Sequence, residues 1–379
     1  MASGFRLFTK RFLLILNIVI AFFFLLACLA PYVNPEKWWF ISVLSLAFPF
    51  LLIAVIVFFI FWVFVKPKFV VFSIIALLAG WKNTSRLFAF NKQSAFDYTK
   101  KKDELRIVTW NVARFIELKK NNNKGSQQRM EMMELLKKQN ADVLCLQEFH
   151  TSISPDYYNN ISYIQKELNY PWFYFSYVPD TKDHWYSSII FSRLPMIDSG
   201  IITYPKPGIT EVLLHADLKF NNDTVRVYTT HLQSVLFEKA DYEKIEKIQE
   251  ADDGLLKNSK SIFSKLRIAS SIRGRQADAA EKHLKSSRYP VLLTGDLNDV
   301  PTSYTYASIR GDMQDAFLEK GFGIGRTFSS LSPTLRIDYI FADKNFSVQQ
   351  FSKSSRNLSD HYMIVADVKL KSAAQKVKL

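Results

Sequence analysis

Residues 38–65 form 28 consecutive positions without a charged side chain, and residues 12–30 form a second run of 19 interrupted by one polar residue, Asn17. A helix rises about 1.5 Å per residue and the hydrocarbon core of a bilayer is about 30 Å thick, so each run is long enough to cross. No ionisable residue lies inside either run. Lys37, Trp38 and Trp39 sit at the start of the second run, where amphipathic rings and snorkelling cations favour the interface. A third run, 69–81, is bracketed by Lys68 and Lys82 and reaches only about 20 Å as a helix. It either spans with bilayer thinning or lies in the interface, and the tight Lys66-Pro67-Lys68 turn favours a returning span. A cleaved signal peptide is the competing reading of residues 1–30, because Arg6, Lys10 and Arg11 make a suitable charged start. The apolar stretch is too long for that, and a second span follows at once. The expectation is an integral membrane protein with a transmembrane anchor over residues 1–82, meeting the lipid bilayer through residues 12–81.

Topology rests on the basic residues. Arg6, Lys10 and Arg11 favour a cytoplasmic N-terminus, and Lys66 and Lys68 a cytoplasmic second turn. Three spans then put the remainder outside the cytoplasm, whereas two put it inside. Lys82, Arg86 and Lys92 follow the third run and blunt the argument.

Beyond the anchor, residues 83–102 read as a Lys-rich linker, residues 103–371 as one α/β domain, and residues 372–379 as a basic tail. On this reading residues 83–379 fold without the anchor. Apolar, β-rich runs recur at 105–110, 141–147, 172–178, 187–192, 211–220, 224–232, 290–295, 336–341 and 363–370. Several alternate with period two, as Val225, Val227 and Thr229 do, which predicts half-buried strands. Helices are fewer: 127–139 after a candidate cap at Ser126, and 273–285. Many strands with few helices predict two packed sheets with helices outside. Residues 234–270 alternate charge with Leu236, Tyr242, Ile245, Ile248, Leu255, Ile262, Phe263 and Leu266. This stretch reads as one or two amphipathic helices, either a surface insertion or an element facing a membrane or the site.

Charge and cysteine content narrow the classes. Residues 1–82 carry a balance of +6 and the rest +8, within a total of +14. A basic chain suits an anionic partner such as nucleic acid, a phospholipid head group or another phosphate ester, although a Lys-rich surface gives the same balance. Two cysteines, Cys28 and Cys145, both in apolar runs, exclude a disulfide-framed scaffold.

Polar residues gather at the ends of the predicted strands. Asn111 ends LRIVTWN, Glu148 ends ADVLCLQE, and His231 lies in VRVYTTHL. Asp296 and Asn298 end PVLLTGDLN, Asp338 lies in RIDYIF, and Asp360 and His361 belong to an SDH triplet before the last run. Carboxylate and amide oxygens without thiolate suit a hard divalent ion, Mg²⁺ or Mn²⁺. The two histidines can serve as acid, base or phosphate donor. No nucleophile-elbow serine and no Gly-rich phosphate loop is present, which disfavours acyl transfer and nucleotide-driven phosphoryl transfer.

Taken in order, TWN (109–111), LQE (146–148), THL (230–232), GDLN (295–298), RIDYIF (336–341) and SDH (359–361) resemble the motifs of the endonuclease/exonuclease/phosphatase family. The resemblance covers about residues 103–371 and implies a four-layer α/β sandwich, two packed mixed sheets flanked by helices, preceded here by two or three transmembrane helices. It implies Mg²⁺-dependent hydrolysis of a phosphoester. Carried over by motif, Asn111 and Glu148 form the metal-binding end with Glu148 as direct ligand, and Asp360 supports the metal side or a second ion. Asp296 orients or deprotonates water, and Asn298 holds a phosphate oxygen. Asp338 orients His361, which contacts the phosphate or acts as base, and His231 stabilises developing charge or helps protonate the leaving oxygen. LQEFH lacks the Lys-containing continuation of AP endonucleases, and Met363 replaces a frequent proline. These departures leave nucleic acid, phospholipid and inositol phosphate open as substrates. The expected function is a membrane-anchored phosphoesterase, diester before monoester; the alternative is a catalytically silent, tethered module that binds a phosphate ligand.

Overall fold

The structure is a computed structural model that describes residues 2–92, 94–120, 127–205, 212–249 and 255–371. The candidate cap at Ser126 and the basic tail 372–379 lie outside the described residues. The chain divides into two compact units: residues up to Phe88 with Ser234–Gly274 and Val300–Ser308, and Ala89–Gln233 with Arg275–Asp299 and Ile309–Leu379.

The first unit begins with helices α1 (Ala2–Cys28), α2 (Trp39–Val65), α3 (Val70–Ala79) and α4 (Trp81–Leu87). Pro67 opens the turn into α3 because it has no N–H to leave unpaired there. The first three helices pack on one another. Phe24 stacks on Phe48 with centroids 5.1 Å apart. Gly80 joins α3 to α4 where a Cβ would come 2.4 Å from the Phe24 ring, so only glycine lets the chain approach that closely. Asn83 Nδ2 donates to the Cys28 carbonyl at 2.9 Å, and Ser73 Oγ to Asn17 Oδ1 at 3.4 Å. Phe5–Tyr32 and Trp39–Val65 are long and apolar enough to cross a membrane by length and composition, each with mean hydropathy 3.0. The apolar run predicted over 69–81 is shared between α3 and α4. Helix α7 (Lys239–Gln249) and residues 255–274 of α8 (Leu255–Lys285) also belong to this unit. Residues 234–270 therefore hold two helices, and the second continues through the helix expected over 273–285.

In the second unit, the strands are β1 (Ala89–Phe90), β2 (Glu104–Asn111), β3 (Val143–Ser152), β4 (Trp172–Phe175), β5 (Pro179–Thr181), β6 (His184–Ser192), β7 (Met196–Thr203), β8 (Val212–Phe220), β9 (Asp223–His231), β10 (Val291–Asp296), β11 (Gln314–Asp315), β12 (Phe322–Gly323), β13 (Asp338–Ala342), β14 (Phe346–Lys353) and β15 (Ile364–Leu370). One sheet runs β14-β15-β2-β3-β6-β4 with β5 beside β6, and a second runs β11-β13-β10-β9-β8-β7. Each sheet has one parallel pair, β2/β3 and β9/β10, among antiparallel neighbours, so both are mixed. Strands β1 and β12 form a separate ribbon, so the chain is already paired at Ala89, within the stretch read as linker.

Alternation along the strands builds the layers. Leu105 and Ile107 of β2 and Val143 and Cys145 of β3 face Leu214, Ala216, Val225, Val227, Leu292 and Ile340 of the other sheet. Their neighbours Val108, Trp110, Leu144 and Leu146 point the opposite way. They pack on Met132, Met133 and Leu136 of α5 (Gln128–Gln139) and on Ile164 of α6 (Asn160–Glu167). Both faces of β2 and β3 are thus buried, at about 1.5–3 kcal/mol for each large apolar side chain. The outer side of the second sheet meets residues 275–285 of α8, where Ala277, Ala280 and Leu284 are buried and Tyr228 Oη donates to the His283 carbonyl at 3.4 Å. This is the expected architecture of two packed mixed sheets with helices outside.

Candidate active site

The C-terminal ends of β2, β3, β9 and β10 bring the polar residues together. In the second sheet His231 is directly opposite Asp296 in the parallel pair, and Asp296 directly opposite Asp338 in the antiparallel pair. Residues opposed across a ladder share one face, so the three form a row. Gly295 makes this possible. It has φ +135° and sits against Thr230, whose carbonyl oxygen would lie 2.0 Å from a Cβ.

Glu148 reaches the row through an irregularity. The β3/β6 register shifts between Leu146 and Phe149, and Glu148 has φ +49°. A bulge re-aims a side chain in this way. Gln147 inside the bulge donates to Thr109 Oγ1 of its own sheet at 3.0 Å and to Thr229 Oγ1 of the other at 2.9 Å. Asn111 Nδ2 donates to Glu148 Oε1 and to Asp296 Oδ2, both at 3.2 Å, while its Oδ1 accepts from the Ala113 N–H at 3.1 Å.

Asp296 Oδ2 is the hub. It lies 3.6 Å from His231 Nε2 and 3.6 Å from His361 Nε2. Its Oδ1 accepts from the Asn298 N–H at 2.8 Å. Asn298, at φ +51°, donates its side-chain amide to the Leu232 carbonyl at 2.9 Å. His231 Nε2 also lies 3.9 Å from Glu148 Oε1. His361 Nδ1 faces both carboxylate oxygens of Asp338, at 2.9 and 3.1 Å, which leaves Nε2 for Asp296 and a ligand.

The electrostatics follow from burial. Asp296 is fully buried; desolvation and the neighbouring Asp338 push its pKa up to about 6, against the pull of His361 and His231. Desolvation works against a charged His361, but the carboxylates of Asp338 and Asp296 and the hydrogen bond to Asp338 outweigh it and push its pKa up to about 10. The imidazole is therefore the charged partner of a buried acidic pair.

The donor set fits a divalent cation. Asp296, Asp338 and His361 each present a ligand atom within 4.8 Å of the others. Asp338 is engaged by His361 and Asn111 Oδ1 by the Ala113 N–H, so the carboxylates that face the site are those of Glu148 and Asp296, with Asn111 Nδ2 between them. Neither cysteine belongs to the cluster, and oxygen donors without thiolate suit a hard ion.

Seven of the eight predicted residues, Asn111, Glu148, His231, Asp296, Asn298, Asp338 and His361, are joined by these contacts. Asp360 stands outside them: it is exposed, its Oδ1 accepts from Ser359 Oγ at 3.1 Å, and it adds negative charge beside His361. The sequence reading assigned no part to four residues that hold the site in place. Ser359 Oγ donates to the Asn111 carbonyl at 2.9 Å and accepts from the His361 N–H at 3.2 Å. Trp110 Nε1 donates to the His361 carbonyl at 2.9 Å, and Thr327 Oγ1 accepts from the N–H groups of Ile337 and Asp338. Gln147, Ser359 and Trp110 lie inside the quoted motifs, so position was a signal; Thr327 carried none.

Residues 108–361 match the endonuclease/exonuclease/phosphatase family. The chain belongs to that family. Residues 10–87 match a separate domain of unknown function, DUF8431. No curated protein matches the chain. Among similar solved structures is an endonuclease/exonuclease/phosphatase from Beutenbergia cavernae, 20% identical, covering 72% of this chain and 72% of that one with TM-score 0.52. The human Nocturnin catalytic domain with bound sulfate anion is 15% identical, covering 71% of this chain and 94% of its own, with TM-score 0.48. A humanized D. rerio TDP2 is 18% identical, covering 70% and 99%, with TM-score 0.47. The Beutenbergia likeness bears on the fold alone, and the fold is that of the endonuclease/exonuclease/phosphatase domain.

Proposed function

We propose that this protein is a membrane-anchored, divalent-metal-dependent phosphoesterase that hydrolyses phosphodiester bonds. The observation that carries the reading is the row His231–Asp296–Asp338 with His361 locked onto Asp338 and Glu148 and Asn111 at its side. Glu148, with Asn111 beside it, would hold Mg²⁺ or Mn²⁺, which when bound neutralises the phosphate and stabilises the leaving oxygen. Asp296 orients the attacking water and accepts its proton through Oδ2, since Oδ1 is committed to Asn298. His361 presents Nε2–H to a phosphate oxygen, with its tautomer and charge maintained by Asp338. Asn298 keeps one amide proton for a phosphate oxygen, and His231 donates to the charge that builds on the leaving side. Asp360 contributes charge from the rim.

The anchor is part of the proposal. Apolar side chains of the helical bundle face outward: Phe64 is 83% and Leu78 72% exposed, which suits lipid and not a soluble core. Three spans are favoured over two. Helix α3 starts beside Lys66 and Lys68 at the end of α2, while Asn83 bonds Cys28 at the end of α1. The third segment thus returns along the bundle, in step with the Asn17–Ser73 contact. Arg6, Lys10, Arg11, Lys66 and Lys68 share one end, which argues for a catalytic unit outside the cytoplasm. As domains we propose an anchor over 1–82 and a catalytic domain over 103–371, with residues 234–274 and 300–308 packing in the anchor's unit.

The test is turnover of bis-p-nitrophenyl phosphate and p-nitrophenyl phosphate by the full-length protein in detergent, with Mg²⁺, with Mn²⁺ and with EDTA. EDTA should abolish turnover, and the diester should be cleaved faster. DNA, RNA, inositol phosphates and phospholipids are offered alongside. Glu148→Gln, Asp296→Asn and His361→Ala should each reduce turnover by roughly 10²–10⁴-fold. Near-normal turnover by His361→Ala would sink the mechanism, and no turnover by a folded protein that binds metal would favour a tethered binding module.

A further inference from the structure

The first unit contains a cavity of about 610 Å³ that the phosphoester chemistry does not use. Its apolar wall comes from Phe23 near the end of α1 and from Trp39 and Phe40 at the start of α2. Its other wall is α8, which contributes Lys260, Phe263 and Arg267. Residues three, four and seven apart share a helix face, so both cations and the ring between them point the same way.

Lys244 and Lys265 both pair with Asp241 of α7. Among the described residues, neither Lys260 nor Arg267 has a carboxylate partner and no acidic side chain lines the cavity. Arg267 lies 5.6 Å from the centre of the Trp39 ring, an arrangement that keeps its hydrogen-bond donors free for an anion. The height is also set: Gly274 of α8 abuts Pro35 in the α1–α2 turn so closely that a Cβ would come 2.6 Å from its ring. The cavity therefore lies at an end of the bundle, where the tryptophans start α2. Phe40 and Phe263 remain 42% and 47% exposed at it.

We infer that this cavity binds one phospholipid with an anionic head group, its phosphate between Lys260 and Arg267 and an acyl chain along Phe23, Phe40 and Phe263. The inference rests on the reading that the first unit spans the membrane. A soluble anion satisfies the cations but leaves the apolar wall uncovered; a neutral lipid does the reverse. An anionic phospholipid satisfies both, and the volume lies within the range of ligand pockets.

The test places the full-length protein in nanodiscs of phosphatidylcholine with one-fifth phosphatidylglycerol and reads bound lipid by native mass spectrometry. Wild type should retain phosphatidylglycerol and phosphatidylcholine in a ratio at least tenfold above the bulk ratio of one to four. Lys260→Ala/Arg267→Ala should retain lipid near the bulk ratio, and Phe263→Ala should retain less of it. Circular dichroism confirms that each variant is folded. Bulk-ratio lipid on wild type, or unchanged enrichment in the double variant, overturns the inference. Displacement of the lipid by millimolar inorganic phosphate also overturns it, because the site would then recognise an anion alone. Alkaline carbonate extraction separates the premises: release of the wild type from membranes defeats the anchor itself, whereas resistance together with bulk-ratio lipid defeats only the cavity.

Discussion

Replacing Gly295 by alanine tests how the site is built from the strand ladder. The new Cβ would meet the Thr230 carbonyl oxygen at 2.0 Å and its amide nitrogen at 2.9 Å, both backbone atoms with nowhere to swing. The φ of +135° adds strain that an L side chain does not relieve. Overpacking costs about 1–3 kcal/mol and a sparsely populated backbone region about the same. Together they reach about 2–6 kcal/mol, a large fraction of the roughly 5–15 kcal/mol of a typical fold. For a unit of this size that lowers the unfolding midpoint by roughly 4–24 °C. The strain is relieved by parting β9 from β10 one residue before His231 and Asp296, so turnover should fall more than the folded fraction does. Gly311 is the control: its φ is +49° but a Cβ there meets nothing within 4 Å. Gly311→Ala should cost only the backbone preference, about 1–2 kcal/mol. Thermal unfolding of the full-length proteins by intrinsic fluorescence, with turnover measured below the transition, provides both readouts. A Gly295→Ala midpoint no lower than that of Gly311→Ala refutes the steric reasoning.

Other consequences follow from the same contacts. Asp338→Asn removes the charge that maintains the His361 imidazolium, so the imidazole pKa should fall from about 10 toward its ordinary value. Turnover should drop roughly 10²–10⁴-fold and gain a new pH dependence near neutrality, read from kcat against pH. Asp367→Ala leaves the buried Arg106 guanidinium without the carboxylate that it bonds at 2.7 and 2.8 Å. It should destabilise by about 3–5 kcal/mol in urea titrations, whereas Glu281→Ala at the exposed Lys285 pair should leave the urea midpoint close to that of the wild type. His215 has its pKa lowered by burial and by Arg226, so the native state binds fewer protons than the unfolded chain below about pH 6.5. Its share of stability is complete above that pH and is lost as the pH falls. His215→Phe should flatten the acid side of the stability curve, and an unchanged slope would contradict the assignment.

The legible parts of this chain were those whose information is local. Asn111, His231 and Asp296 close short apolar, β-rich runs such as LRIVTW and VLLTG that announce strands, so their placement at sheet ends needed no long-range knowledge. Strand β7 was missed because MIDSGIIT mixes Asp, Ser and Gly into a half-exposed run, and β14 because a register shift between Val348 and Gln350 breaks the alternation of Phe346, Val348 and Phe351. The pairing of β1 with β12 joins segments more than 230 residues apart and left no mark in either. Within the site, the bulge that turns Glu148 inward depends on β6 opposite it, and Thr327 acts by accepting from two distant N–H groups. Neither property has a composition or a period.

Packing also bears on where the catalytic part can be separated. Composition alone puts the border near residue 83, where apolar runs give way to a Lys-rich stretch. Residues 234–274 and 300–308 nevertheless pack in the same compact unit as the helical bundle. Gly274 lies against Pro35, Arg267 faces the Trp39 ring, and Thr302 Oγ1 donates to the Ser45 carbonyl at 3.1 Å. A chain beginning at Asn83 loses Pro35, Trp39 and Ser45 together. It keeps Phe263 and Ile268, 47% and 58% exposed even with the bundle present, as apolar groups with still fewer neighbours. The first half of α8 should then open locally while the two sheets stay folded. Limited trypsin digestion should cut the truncated chain between residues 257 and 274, where Lys260, Lys265, Arg267 and Arg273 offer sites, and spare the same bonds in the full-length protein in nanodiscs. Equal protection in both would mean that α8 is held by the catalytic domain, and residue 83 would then be an adequate border.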